Sequence, residues 1–206
     1  MVLPSHKAVR GFTLLELLAS VAIITVLAAL LVPAANRFND QAKATKCASH
    51  LRQIGNALKL YSLEHEQTFP KTDSFSTWYW QLGPYLGMDE TMGKAPKPKI
   101  AGVFICPAFA YRSSPRQDEV CYAYNAFVTP DFGATHWNYR AIVPRPASTF
   151  LVVEINGSTQ RYSPGSGSGF EARHPNNTAN YLFVDGHVDR ISGSVPQSDP
   201  RWYKVP

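Results

Sequence analysis

The side chain with the clearest chemical implication is Glu16, a carboxylate near the start of a long apolar run. It is the only formally charged side chain between Phe12 and Asn36. A charge at membrane depth costs about 2.5–3.5 kcal/mol on insertion scales, so a glutamate placed there needs a compensating function. A carboxylate in such surroundings is acceptable when it is paired and hydrogen-bonded. The alternative is a carboxyl group that stays protonated in lipid without a partner.

Four residues near the C terminus offer imidazole and carboxylate groups of the kind that bind divalent ions. They are His174, Asp185, His187 and Asp189. However, Asp185 precedes Gly186 in a dipeptide where the turn itself favours Asp, and calcium would require a larger cluster of oxygens. The simpler interpretation is turn chemistry with a hydrogen-bonded histidine. The sequence therefore predicts no metal site and no cofactor.

The sequence contains no motif of a known catalytic or nucleotide-binding site. There is no Gly-x-Ser-x-Gly elbow, no His-Glu-x-x-His pair, no phosphate loop and no dinucleotide fingerprint. Glu154, His136 and Cys121 stand isolated in the sequence. The net charge of +5 falls to +3 without Lys7 and Arg10, which is too weak to indicate nucleic-acid binding. We therefore predict neither an enzyme nor a nucleic-acid-binding protein.

A transmembrane helix is predicted over residues 12–34. Phe12–Leu31 supplies 20 largely apolar residues, enough for a helix to cross a hydrocarbon core of about 30 Å. A secretory signal peptide, or an anchor that is never processed, would also place an apolar helix here. Against a signal peptide, no small-x-small cleavage pattern closes the run before Pro33. Basic residues lie on both sides of the span, so the positive-inside rule gives no clear orientation.

The helical pattern continues beyond Pro33 and becomes amphipathic. Apolar residues recur at steps of four and three on one helical face, and polar residues occupy the other faces. The apolar face contains Cys47, Leu51, Ile54, Leu58 and Tyr61, and the polar residues are Lys43, Lys46, His50, Gln53, Asn56 and Lys59. We predict one helix from about Phe12 to about Glu64, on the order of 80 Å long. Residues 35–66 are its amphipathic continuation, and Pro33 should bend it.

Residues 67–206 have the composition of a small domain with short strands and many turns. The whole chain contains 16 prolines, 13 glycines and 12% aromatic residues, a composition that argues against a helical bundle. Strands are predicted at Val103–Cys106, Val120–Val128, Trp137–Val143 and Phe150–Ile155. The aromatic segment from Trp78 to Leu86 is expected to pack against the long helix, and Ser163–Gly169 is expected to be a flexible loop.

The C-terminal part of this domain is predicted to form a hairpin over residues 180–191. Asn180–Val184 and His187–Ile191 are strand-like, and Asp185-Gly186 between them is typical of a type I′ turn. The predicted fold class is therefore α+β. One long N-terminal helix, transmembrane in its first half and amphipathic in its second, would pack on a small antiparallel sheet.

Residues Arg10–Glu16 and the apolar run that follows them resemble the processing site of type IV pilins and type II secretion pseudopilins. The matching residues are Gly11 before the cut, Phe12 as the new first residue, Glu16 four positions later and Pro33 in the helix. The resemblance implies a pilin-like fold. It also implies that prepilin peptidase removes residues 1–11 as a leader and methylates the amine of Phe12. In assembled filaments, Glu16 would pair with that amine on a neighbouring subunit and so fix the register.

A second resemblance concerns the globular domain. His174 and Asp185-Gly186 resemble the histidine-to-Asp-Gly signature of a prepilin-processing-associated family. That family also carries a Cys-Pro and a Tyr-x-x-Asn-like segment, matched here by Cys106-Pro107 and Tyr122–Asn125. The usual spacing has nine residues between His and Asp, whereas ten separate His174 from Asp185. This departure weakens the prediction that these two residues act as a pair.

The three cysteines permit one disulfide with one thiol left over. A Cys106–Cys121 bond would close a local loop, and a Cys47–Cys106 bond would join the long helix to the globular domain. Three reduced cysteines are the remaining arrangement. Oxidation is permitted if the domain lies outside the cytoplasm. The second family resemblance favours Cys47–Cys106, because that family often has cysteines at both positions.

Together, the resemblances imply a structural subunit of a type II secretion-like pseudopilus. The alternatives are a type IV pilus subunit, serving adhesion, motility or DNA uptake, and a membrane-anchored binding module that never polymerises. The expected partners are prepilin peptidase, copies of this chain or other pilin-like subunits, an inner-membrane assembly platform and membrane lipid. The expected location is the bacterial inner membrane, crossed once, with the globular domain in the periplasm or outside the cell after assembly.

Overall fold

The computed structural model describes residues 13–70, 78–88, 102–109, 120–125, 143–156, 161–162, 170–196 and 198–202. The chain divides into two compact units, Met1–Asn39 and Asp40–Pro206. The longest element, helix α1, covers Leu14–Glu64 and contributes residues to both units. Its C-terminal end lies where the sequence pattern predicts.

In the first unit, α1 exposes its side chains throughout residues 14–39. Leucine and alanine are frequent in this stretch, and both favour helix. The helix continues through Pro33. The mean hydropathy reaches 2.6 over an 18-residue window in which no residue is buried. By length and composition, α1 is therefore able to cross a membrane.

Among the described residues, the second unit contains five strands: β1 Tyr122–Asn125, β2 Phe150–Glu154, β3 Arg161–Tyr162, β4 Thr178–Phe183 and β5 Val188–Ser192. They form one sheet with the order β3-β1-β2-β4-β5. Strands β1, β2, β4 and β5 pair antiparallel, whereas the two-residue β3 runs parallel to β1. The predicted α+β fold class, with a long helix and a small antiparallel sheet, is confirmed.

The sheet separates two apolar cores of the second unit. One core lies between the sheet and the buried side of α1, where an added Cβ on Gly55 would lie 3.0 Å from Cδ1 of Leu182. The α1 residues that enter this core are Cys47, Leu51, Ile54, Ala57 and Leu58. The opposite core contains Phe150, Tyr181 and Trp202. Successive residues of β4 thus enter different cores, as the alternation of strand side chains requires.

The buried side of α1 is wider than the predicted apolar face. The periodicity predicts a water-facing position for His50, but this residue is only 8% exposed. Its Nδ1–H donates to the carbonyl of Ile105 at 3.1 Å. Tyr61, assigned to the apolar face, is only partly buried. The segment 102–109 therefore covers a helix face that the pattern of α1 alone marks as polar.

The aromatic segment after α1 packs against it, as expected. Helix α2, Trp78–Gln81, places the Trp78 ring 4.5 Å from the ring of Tyr124 in β1. The hydroxyl of Tyr61 donates to the side chain of Gln81 at 3.0 Å. These contacts make the segment part of the core between α1 and the sheet.

One predicted strand is wrong, and others lie partly outside the described residues. Gly102–Phe104 is a 3-10 turn rather than the start of a strand. Gly102 has a φ of +70°, and its carbonyl accepts from the N–H of Ile105. Phe104 is buried in the core, so this position requires an apolar residue although it is not in a strand. Parts of three other predictions lie outside the described residues. They are residues 126–128 of the strand predicted at Val120–Val128, residues 137–142 of the strand predicted at Trp137–Val143, and the loop Ser163–Gly169.

The C-terminal hairpin joins β4 to β5, but its turn is not the predicted type I′. That type needs positive φ at both central residues, whereas in the turn only Gly186, at +100°, has one. The N–H of Gly186 donates to the carbonyl of Phe183 at 3.0 Å, and the N–H of Phe183 donates to that of His187 at 2.9 Å. These bonds close a three-residue loop. An Asp-Gly sequence also suits this three-residue loop, because the glycine supplies the positive φ that the loop needs, as it would in a type I′ turn.

Candidate functional site

The processing residues predicted from the sequence, Gly11 and Phe12, lie outside the described residues. The described chain begins at Thr13, which precedes the first turn of α1. Glu16 stands in that first turn and is exposed in the isolated chain. Thr13 supplies the hydrogen bonds to its side chain, and the α1 residues around it in the sequence are mostly apolar.

Thr13 and Glu16 form a capping box at the start of α1. The backbone N–H of Thr13 donates to Oε2 of Glu16 at 2.9 Å, and the Thr13 hydroxyl donates to the same oxygen at 2.8 Å. In return, the backbone N–H of Glu16 donates to Oγ1 of Thr13 at 3.3 Å. Such reciprocal bonds satisfy amide groups that a helix N terminus leaves open. The described residues give Oε1 of Glu16 no hydrogen bond.

The sequence interpretation missed this cap, although the signal was available. Thr-x-x-Glu before an apolar run is the sequence signature of a capping box. Glu16 stands three residues after Thr13, as this signature requires. The carboxylate thus has a local structural role that does not depend on a neighbouring subunit.

A disulfide joins Cys47 of α1 to Cys106, with their Cα atoms 5.1 Å apart. Of the two pairings considered from the sequence, this is the one that links the helix to the domain. Cys121 is free and buried. Burial raises the pKa of the Cys121 thiol, and the nearby Arg173 guanidinium offsets this only in part. Because the thiolate is the reactive form, Cys121 is a poor nucleophile at neutral pH.

The disulfide lies beside a buried polar cluster formed by Glu154, His174 and Asn180. Nε2 of His174 lies 2.9 Å from Oε1 of Glu154, and both side chains are fully buried. Asn180 donates to Glu154 twice, from its backbone N–H to Oε2 at 2.8 Å and from Nδ2 to Oε1 at 3.0 Å. Nε2 of His174 is also 3.9 Å from Sγ of Cys106. The carboxylate therefore has the partners that burial requires.

The cluster is connected to α1 and to an adjacent cation. Nδ2 of Asn180 donates to the carbonyl of Ala44 in α1 at 3.3 Å. Arg173 is the residue before His174, and its side chain is buried. It donates to the carbonyl of Ile155, and its Cζ lies 5.0 Å from the centre of the Phe109 ring. One contiguous set of polar groups thus spans the helix, β2 and β4.

His174 and Asp185, the two ends of the predicted signature, have different partners. His174 faces Glu154, whereas Oδ1 of Asp185 lies 2.6 Å from Nδ1 of His187 and accepts from the His187 N–H at 3.1 Å. Asp189 accepts from the backbone N–H of Arg190. The four residues considered as metal ligands from the sequence therefore do not converge. Glu154, which the sequence pattern links to no other residue, pairs with His174.

Comparison with known proteins identifies the N-terminal region. The prokaryotic N-terminal methylation motif matches residues 6–32. The chain is 42% identical over 55 residues to type II secretion system core protein G of Pseudomonas aeruginosa, covering 27% of this chain and 39% of that protein. It is 39% identical over 64 residues to the core protein G of Escherichia coli K12, covering 31% and 43%. The chain thus has the N-terminal methylation motif and, over about a third of its length, homology to type II secretion system core protein G.

The homology has a limited extent. The core protein G of Klebsiella michiganensis is 36% identical over 68 residues, which is 33% of this chain and 47% of that protein. The chain therefore spans less than half the length of the curated relatives it matches. No solved structure matches the chain.

Proposed function

We propose that this chain is a structural subunit of a type II secretion-like pseudopilus, held in the membrane and assembled through α1. The observation that carries the proposal is the position of Glu16. It lies within the matched methylation motif and in the first turn of a helix long enough to cross a membrane. The similarity to core protein G of type II secretion systems supports the same function. The role is structural rather than catalytic.

Processing is the first step of the proposed function. Prepilin peptidase would cut after Gly11, remove residues 1–11 and leave Phe12 as a methylated N-terminal residue. The motif match over 6–32 includes this junction. Cleavage would place the new amine four residues before Glu16, at the same end of α1. A cation and an anion would then occupy one end of an otherwise apolar span.

Assembly is the second step, and it would use the oxygen of Glu16 that the cap leaves free. Thr13 bonds only Oε2 among the described atoms. Oε1 is therefore free to accept from the Phe12 amine of a neighbouring subunit. A misaligned neighbour would leave two charges unpaired at membrane depth, which costs several kcal/mol. The pair would therefore fix the register between parallel helices.

The proposed partners and location follow from this assembly. The peptidase acts on the leader, other copies or pilin-like subunits pair with α1, and an inner-membrane platform adds subunits to the filament. The chain crosses the inner membrane once, with Asp40–Pro206 on the periplasmic side, and Pro33 bends the helix within the span.

Three variants test the pairing against the capping role of Glu16. Glu16→Gln keeps the capping acceptor but loses the charge, because a capping box accepts Glu or Gln. Thr13→Ala removes the cap but keeps the charge. Each full-length chain is produced in bacteria with a type II secretion machine, and cleavage and sheared filaments are measured. We expect all variants to be cleaved, Thr13→Ala to assemble, and Glu16→Gln and Glu16→Ala to stay in the membrane.

The outcomes separate the candidate functions. Normal filaments from Glu16→Gln would refute the pairing. A wild-type chain that is cleaved but never enters filaments would refute the pseudopilus and favour the non-polymerising module. Surface pili instead of secretion-dependent filaments would favour a type IV pilus subunit.

A further inference from the structure

Four potential metal ligands converge beside the helix–sheet junction of the second unit. They are Sγ of Cys47 and Cys106, a carboxylate oxygen of Glu154 and a ring nitrogen of His174. These atoms all lie within 4.8 Å of one another, and all four residues are buried. No function described above uses this convergence.

The donor set is that of a tetrahedral zinc site. Zinc in proteins binds thiolates at about 2.3 Å and imidazole or carboxylate at about 2.0–2.2 Å, with four ligands in structural sites. Ligand atoms of such a tetrahedron are about 3.3–3.8 Å apart. Nε2 of His174 lies 2.9 Å from Oε1 of Glu154 and 3.9 Å from Sγ of Cys106. Small side-chain rotations would bring these distances into the range, once the two sulfur atoms are no longer bonded.

We propose that the reduced chain binds one zinc ion through Cys47, Cys106, Glu154 and His174, and that disulfide formation expels it. A dithiol reductant would supply two electrons and two protons, becoming a disulfide itself, and convert the Cys47–Cys106 bond into two thiols. Zinc would then displace the two thiol protons. An oxidant of the disulfide class would reverse the sequence and release the ion. The metal would hold α1 to the sheet before the covalent bond forms.

The groups around the ligands suit this role. Asn180 holds both oxygens of Glu154, so the carboxylate is already oriented, as ligands of metal sites usually are. Nδ1 of His174 has no partner among the described residues, so it can carry the ring proton when Nε2 binds the ion. Two thiolates and one carboxylate against Zn²⁺ leave one negative charge, and the cation next to His174 in the sequence is Arg173, whose side chain is buried and pairs with Glu171 at 3.1 Å.

Cobalt titration of the full-length chain in detergent tests the proposal. The chain is reduced with a phosphine, and Co²⁺ serves as the spectroscopic substitute for Zn²⁺. We expect one cobalt per chain, with thiolate charge-transfer bands and the intense d–d bands of tetrahedral coordination, both removed by zinc. The oxidised chain of the same sequence should show neither.

Variants assign the ligands, with circular dichroism as the check on folding. The double variant Cys47→Ser/Cys106→Ser should abolish the thiolate charge-transfer bands, and each single serine variant should weaken them. Glu154→Gln and His174→Gln should weaken binding beyond the 10–100-fold typical of second-shell changes. Cys121→Ala should bind like wild type. The proposal is overturned if the reduced, folded wild type shows no tetrahedral bands, if the bands survive in the double serine variant, or if binding requires Cys121. It is also overturned if the reduced chain unfolds and zinc does not restore its signal.

Discussion

Glu154 and His174 form a fully buried pair, with Oε1 of the carboxylate 2.9 Å from Nε2 of the ring. Glu154 ends the central strand β2, and His174 precedes β4, where it bridges to Thr178. The pair therefore fixes the point at which the chain enters β4. Asn180, bonded to the same carboxylate, extends the connection to the backbone of α1.

Removing the Glu154 carboxylate should destabilise the second unit strongly. Glu154→Ala leaves His174 and Asn180 without their acceptor, and each buried donor left unsatisfied costs about 1–3 kcal/mol. Glu154→Gln keeps one acceptor oxygen and should cost less. Urea unfolding measures both. Glu171→Gln, which removes a half-exposed partner of Arg173, is the control and should change stability by less than about 1 kcal/mol. Equal losses from Glu154→Ala and Glu171→Gln would contradict the role of the pair.

The Cys47–Cys106 bond should stabilise the oxidised chain through its long loop. The two cysteines are 59 residues apart, and loop-closure entropy for such a loop corresponds to about 4 kcal/mol. Cys47→Ser or reduction without metal should therefore lower the unfolding midpoint markedly. Alkylation followed by mass spectrometry should find Cys121 as the free thiol in the oxidised chain. Cys121→Ala should keep the bond, and a Cys106–Cys121 peptide would show that the pairing is wrong.

His50 should make the stability of the second unit fall in acid. Burial lowers its pKa, with Lys46 adding to the effect and the bond to Ile105 opposing it. Below about pH 6.5 the unfolded ring takes up a proton before the folded ring does. The contribution of neutral His50 is thus complete above that pH and is lost as the pH falls towards the lower, folded-state value. The stability difference between wild type and His50→Gln should shrink over this range, and a difference independent of pH would argue against the assignment.

The hairpin turn should require glycine at position 186 because of the backbone conformation there, and not because a larger side chain would clash with its neighbours. Its φ is +100°, and a Cβ added there would meet nothing within 4 Å. Gly186→Ala should therefore cost about 1–2 kcal/mol from conformational strain alone. Gly186→Asn should cost less, because Asn tolerates positive φ better. Thermal unfolding of the two variants measures the difference, and a neutral Ala substitution would contradict the loop geometry.

Local patterns of the sequence predicted the helix and the fold class, because the apolar run and the stripe beginning at Cys47 are continuous along the chain. The hairpin was also predictable, but Asp185-Gly186 fits two turn types, and the structure has the three-residue loop instead of the predicted type I′ turn. Gly102–Phe104 was mistaken for a strand, since its apolar residues are set by burial under the core rather than by pairing.

The polar cluster could not be predicted from spacing. Glu154 and His174 are separated by 20 residues and meet only after β2 and β4 have paired. A carboxylate at the end of the apolar run Phe150–Val153 is the one local signal, because a charge in a buried strand requires a partner. His50 was likewise misassigned, since its cover comes from residues 102–109 and not from α1.

The N terminus of the mature chain tests the central claim most directly. The full-length chain is expressed in cells that contain prepilin peptidase, extracted from the membrane and analysed by intact-mass and N-terminal peptide mass spectrometry. A parallel culture lacking the peptidase is the control. The account predicts a chain that begins at Phe12 with a methylated amine, and an uncut chain in the control. A chain that still begins at Met1 when the peptidase is present would contradict it.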